Sequence, residues 1–154
     1  MWNSMKSVQL SLICTKVVMV LLVVCAATLP MMMQTYINYA YANAMVSLEL
    51  SDLYPFMAIL YLCCIPAMVA LICLHKLLTN IKREEVFVSK NVTLLRIISW
   101  CCFLAAFIVV FAFLYYFVVG LMSIVLAFIG LILRVVKNVI EEAVHIKTEN
   151  EFTI

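Results

Sequence analysis

Met31, Met32 and Met33 form a row of thioethers, and Cys63-Cys64 and Cys101-Cys102 form two pairs of adjacent thiols. Soft sulfur ligands of this kind select Cu(I). A copper path would repeat them along one helix face, as Met-x-x-x-Met or Cys-x-x-Cys. No Cys-x-x-Cys occurs, and none of Met31 to Met33 has a methionine four positions away. All seven cysteines fall inside apolar stretches. Neighbours such as Cys63 and Cys64 point about 100° apart on a helix and seldom pair. They read as small apolar side chains, and neither a metal nor a cofactor is expected.

Acid–base chemistry is no better supplied. A membrane enzyme or proton-coupled transporter places a carboxylate, a histidine or a cation at bilayer depth. Here every such side chain lies in a loop, a tail or near the end of an apolar stretch. His75 stands beside Lys76 at one such end, and His145 lies two turns beyond another. No nucleophile has a base within predictable reach, so no catalytic residue is assigned and the chain is expected to be non-enzymatic. There is no phosphate-binding loop and no long basic arm, so direct nucleic-acid binding is not expected either.

The elements that carry these residues are dictated by the solvent. The sequence is 68% hydrophobic and 12% charged, with a mean hydropathy of +1.21, outside the range of soluble domains. From Ile97 to Leu133 it runs 37 residues without a charge. As one helix that stretch would be about 55 Å long, against a hydrocarbon core of roughly 30 Å. It must cross, turn and cross back. With two more apolar stretches upstream, the expectation is an all-α integral membrane protein with four spans in a single domain, residues 1–154. The spans fall near 12–33, 55–78, 92–117 and 121–136. Pro55 is expected in the first turn of the second span, Pro66 in its middle, and a tight turn between Tyr116 and Gly120. Residues 34–52 are expected to be helical outside the bilayer, as an interfacial helix or as extensions of spans one and two. The fourth helix should continue into an exposed helix and tail, 137–154, with Lys137 and Glu141 paired four residues apart.

Orientation follows from charge. All ten Lys and Arg residues fall on one side of a four-span layout, and the other side carries only Glu49 and Asp52. By the positive-inside rule both termini are cytoplasmic. Asn91-Val92-Thr93, a glycosylation acceptor pattern, then lies on the unmodified side. Ser89 or Asn91 is expected to cap the third helix.

Two segments carry a family resemblance. Val86-Phe87-Val88-Ser89-Lys90-Asn91-Val92-Thr93-Leu94-Leu95-Arg96-Ile97-Ile98-Ser99-Trp100 resembles the pattern F-x-x-x-N-V-x-x-L-R-x-I-x-W, which opens the third span in a bacterial family, domain of unknown function 2975. The tail Val139 to Ile154 resembles that family's ending, A-x-x-L-K-E-E-N-D-L-T-I, with Glu151 and Phe152 in place of Asp and Leu. The resemblance implies a four-span protein of the bacterial cytoplasmic membrane. It also implies genes often found beside small helix-turn-helix regulators of the Cro/CI type. It implies no activity and no catalytic residue.

The cytoplasmic side mixes Glu84, Glu85, Glu141, Glu142, Glu149 and Glu151 with its cations. Mixed charge around a short apolar stripe suits protein docking. The expected function is therefore partner binding on that face, with a helix-turn-helix regulator held at the membrane. Phe87, Asn91, Arg96, Glu142, Asn150 and Phe152 are its expected contact or organising residues. Phe152 and Ile154, two apart, suggest an extended tail laid against Phe87 to Asn91, in this chain or in a neighbouring copy of a homo-oligomer. Two rivals stand beside this reading. One is a transport or immunity protein binding a small apolar molecule or peptide, marked by an outward pocket under Tyr36, Tyr39 and Tyr41. The other is a small subunit of a larger membrane complex, marked by small residues such as Ala105, Ala106 and Gly130 at a wide interface.

Overall fold

The computed structural model describes the backbone over residues 2–42, 50–114 and 117–152, and side chains over 6–35, 37–39, 54–114 and 118–150. The described residues form four helices: α1 (Trp2–Ala42), α2 (Leu50–Lys82), α3 (Ser89–Ala112) and α4 (Phe117–Phe152). Each contains a stretch long and apolar enough to cross a membrane. The protein is a multi-pass, all-α membrane protein. Helices α1, α2 and α4 have 41, 33 and 36 residues. At 1.5 Å per residue each is about 50 Å or longer, so all three outrun the hydrocarbon core.

The long α1 and α2 settle part of the segment between the first two spans. Residues 34–42 continue α1 and residues 50–52 begin α2, so the described part consists of extensions rather than a separate helix. Positions 43–49 lie outside the described residues. Pro55 is consequently not in a first turn but five residues inside α2, and Pro66 lies deeper in the same helix. Each proline removes one amide donor, a loss that a 33-residue helix absorbs.

A third proline, Pro30, lies inside α1. Its missing N–H leaves the carbonyl of Ala26 without its intrahelical partner. The hydroxyl of Tyr61, on α2, donates to that carbonyl at 3.0 Å. In lipid an unpaired carbonyl is costly, so the proline and the tyrosine act as one device joining α1 to α2.

The reversal between α3 and α4 comes earlier than the glycine suggests. Helix α3 ends at Ala112, Phe113 and Leu114 turn back onto Val110 and Phe111, and α4 is under way at Phe117. Gly120 therefore sits inside α4 rather than in the turn. Its use is steric: a Cβ there would stand 2.6 Å from the Cβ of Phe113. Gly130 plays the same part deeper down, where a Cβ would meet Cys102 and Phe103 at 3.3 Å. The close approach lets the buried Ser99 hydroxyl donate to the Gly130 carbonyl at 2.9 Å. Small residues at a membrane helix crossing allow this intimacy.

Among the described residues each helix packs only on its neighbours in sequence: α1 on α2, α2 on α3, α3 on α4. The described helices thus form an open row and not a closed bundle. Helix α3 is flanked on both sides and holds most of the core, including Val92, Leu95, Ile98, Ala105, Ala106, Ile108 and Ala112. Ala105, Ala106 and Gly130 are spent inside the chain. Elsewhere large apolar side chains such as Leu104, Phe107 and Ile124 face outward, as lipid contact requires. The antiparallel order brings the basic ends of all four helices to one side.

Candidate functional site at the basic end

Helix α2 ends in a hydrogen-bonded cap that its sequence conceals. The Glu85 amide donates to the Asn80 carbonyl at 3.1 Å, and the Glu84 amide to the Ile81 carbonyl at 3.0 Å. Those two bonds form a Schellman motif, which needs a left-handed residue between them. Glu84 fills that place with φ 63°, where glycine is usual.

The loop that follows is held from the inside by Asn91. Its side chain is buried, with 1% of the residue exposed. Its amide donates to the carbonyls of Glu85 at 2.7 Å and Val86 at 2.9 Å. Its own carbonyl accepts from the Asn80 amide of α2 at 2.8 Å. Asn91 is therefore an organising residue inside the loop. It is not a cap: Val88 is the N-cap residue of α3 and makes no side-chain capping bond. Facing α2 from the first turn of α3, Asn91 reaches two loop carbonyls that a cap could not. The loop so fixed presents Phe87 with 48% of its surface exposed.

Arg96 clamps α3 to α4. Its guanidinium meets the Glu141 carboxylate at 3.2 Å, and Glu141 also pairs with Lys137 one turn earlier on α4. The Lys137 hydrogen bond, reinforced by the charges of Lys137 and Arg96, holds the Glu141 carboxyl below its usual range. One turn deeper in α3, Trp100 lies under the Arg134 guanidinium, 5.3 Å from the ring centroid. These contacts set the register of α4 against α3. From the level of Arg96 it continues past the start of α3 as a helix through Phe152, with Glu142 and His145 to Asn150 exposed along it.

That course replaces the extended tail expected from Phe152 and Ile154. Residues 148–152 are helical; Thr148 and Glu149 reach back one turn, Thr148 donating to the carbonyls of Val144 and His145 and Glu149 meeting His145 at 3.3 Å. Thr153 and Ile154, and the side chain of Phe152, lie outside the described residues. Glu142 and Asn150 are exposed along this free helix. Of the six residues singled out by sequence, Phe87 lies in the loop, Asn91 holds that loop from the first turn of α3, Arg96 joins α3 to α4, and Glu142, Asn150 and Phe152 ride on α4 itself. The capping role of Glu84 and the contacts of Asn80 and Arg134 carry no signal in the sequence. Asn80 and Arg134 act across helices, which spacing within one helix does not reveal.

The opposite end, among the described residues, offers little. A cleft of about 180 Å³ lies between α1 and α2, lined by Pro30, Met33, Gln34, Ile37, Tyr54 and Met57. That is below the roughly 300 Å³ at which ligand pockets begin. Tyr36 and Tyr41 lie outside the described side chains, and Tyr39 is exposed. All seven cysteines are free thiols, and no cluster of three potential metal ligands occurs among the described residues. His75 Nδ1 is buried without a hydrogen-bond partner among them.

No curated protein and no solved structure matches the chain. A family model described as Protein of unknown function (DUF2975) matches residues 40–154, which takes in the α2–α3 loop, the Arg96 clamp and the free end of α4. The match covers three-quarters of the sequence and three of the four spans, and the chain is a member of the DUF2975 family.

Proposed function

We propose that this is a non-enzymatic protein of the bacterial cytoplasmic membrane whose basic end, carrying both termini, faces the cytoplasm and docks a protein partner. The observation that carries the reading is the pairing of a rigid loop with a free helix. Asn91 spends three hydrogen bonds immobilising the loop that presents Phe87. The Arg96–Glu141 clamp holds beside it a helix that continues well beyond the apolar span. An exposed aromatic on a preorganised backbone loses little entropy on binding.

A small helix-turn-helix regulator is the partner this reading favours, since the family resemblance implies such genes as neighbours. Holding a regulator at the membrane would keep it from DNA. Glu142 and Asn150 supply polar contacts on α4, and Phe87 the apolar anchor. The test is copurification from native membranes in mild detergent, followed by mass spectrometry. Recovery of a regulator-like protein with the native chain, and its loss with Phe87→Glu, is the expected result. No such protein with the native chain would overturn the reading.

A further inference from the structure

Three cations line one cleft beside the loop, and no carboxylate lines it with them. A cleft of about 470 Å³ lies between the end of α2 and the start of α3. Lys76 and Arg83 line it from α2 and the residue after it, and Lys90 from the first turn of α3. No carboxylate contributes to its lining, and none of the three cations makes an ion pair among the described residues. Thr79, Asn80 and Thr93 complete the polar wall. The two threonine hydroxyls donate to the carbonyls of His75 and Ser89. The donors left to a ligand are thus Lys76 Nζ, the Arg83 guanidinium, Lys90 Nζ and the second hydrogen of the Asn80 amide.

Three like charges around one cleft repel one another unless an anion sits between them. The uncapped N-terminus of α3 adds to the positive field. An Arg fork with two ammonium groups suits a tetrahedral phosphate better than a single carboxylate. The cleft lies where the apolar stretch of α2 gives way to cations. Exposed Ile72 and Val69 continue along α2 toward the bilayer interior, a path for acyl chains. We propose that this cleft seats the phosphate of an anionic phospholipid headgroup, with Lys76, Arg83 and Lys90 as its ligands. Basic pockets between spans are suited to such headgroups. The proposal stands independently of the partner reading.

The full chain in nanodiscs of phosphatidylcholine doped with phosphatidylglycerol provides the test, read as bound lipid by native mass spectrometry. The native chain is expected to retain phosphatidylglycerol preferentially. Lys76→Gln, Arg83→Gln and Lys90→Gln should each lower that retention about fivefold, and the triple variant about 100-fold. Arg83→Lys, which keeps the charge and the fold, should lose less than Arg83→Gln. Lys82→Gln removes a neighbouring charge outside the cleft and should change retention less than twofold. An equal loss with Lys82→Gln would overturn the site in favour of diffuse surface charge. Unchanged retention by the triple variant would overturn it outright. Displacement of the lipid by millimolar inorganic phosphate would reassign the cleft to a free phosphate.

Discussion

The bond from Tyr61 to Ala26 makes a quantitative test of how α1 is held. Pro30 strips the Ala26 carbonyl of its helical donor, and the Tyr61 hydroxyl replaces it at 3.0 Å. Helix α1 packs only on α2 among the described residues, so little else compensates. Hydrogen bonds between membrane helices average about 0.6 kcal/mol and reach about 1.7 kcal/mol. Here the alternative is a carbonyl with no partner, whose desolvation costs roughly 1–3 kcal/mol. Tyr61→Phe should therefore destabilise by about 1.5 kcal/mol in a denaturing-detergent titration. In a Pro30→Ala background the amide of residue 30 can satisfy Ala26 again. There Tyr61→Phe should cost under about 0.5 kcal/mol, because the orphaned acceptor is gone. An equal cost in both backgrounds would refute the argument and reduce Tyr61 to an ordinary packing residue.

Other perturbations bear on the basic end. Glu84→Gly should stabilise the protein by about 1 kcal/mol, since φ 63° costs a side-chain-bearing residue energy that glycine escapes; a thermal-shift measurement in detergent checks the sign. Asn91→Ala should destabilise by about 2–4 kcal/mol, leaving two loop carbonyls and the Asn80 amide unpaired, and should open the loop to proteolysis between Lys82 and Ser89. The clamp should be sensitive to acid. Glu141 titrates below its ordinary value of 4.5 when folded, so its contribution is complete above that pH and is lost as pH falls through the depressed value. A carboxyl NMR titration showing Glu141 at or above the ordinary value would contradict this.

The spans were legible because hydrocarbon admits little but apolar helices: the charge-free run from Ile97 to Leu133 forced a hairpin, and α3 and α4 form one. Helix ends were less legible. Pro55 reads as a first-turn residue, yet the polar residues ahead of it extend the helix past the bilayer, where water tolerates them. Gly120 reads as a turn because glycine is usually argued from its φ. Its use here is the 2.6 Å approach of Phe113, which exists only once the helices are packed. Asn91 was legible as important and not as what it does. Its partners Asn80, Glu85 and Val86 lie on a neighbouring helix end and loop, and only tertiary structure brings them within reach. The free end of α4 was visible as a helical stripe, but the apolar pair Phe152 and Ile154 suggested a strand-like end. The helical backbone instead continues through Phe152.

The most direct measurement of the docking account is in-cell photocrosslinking from position 87, with a photoreactive amino acid in place of Phe87 and a control in place of lipid-facing Leu104. Position 87 is expected to give a protein adduct that mass spectrometry identifies as a helix-turn-helix regulator, and position 104 lipid adducts alone. Lipid adducts alone from both positions, or the same protein adduct from both, would contradict it.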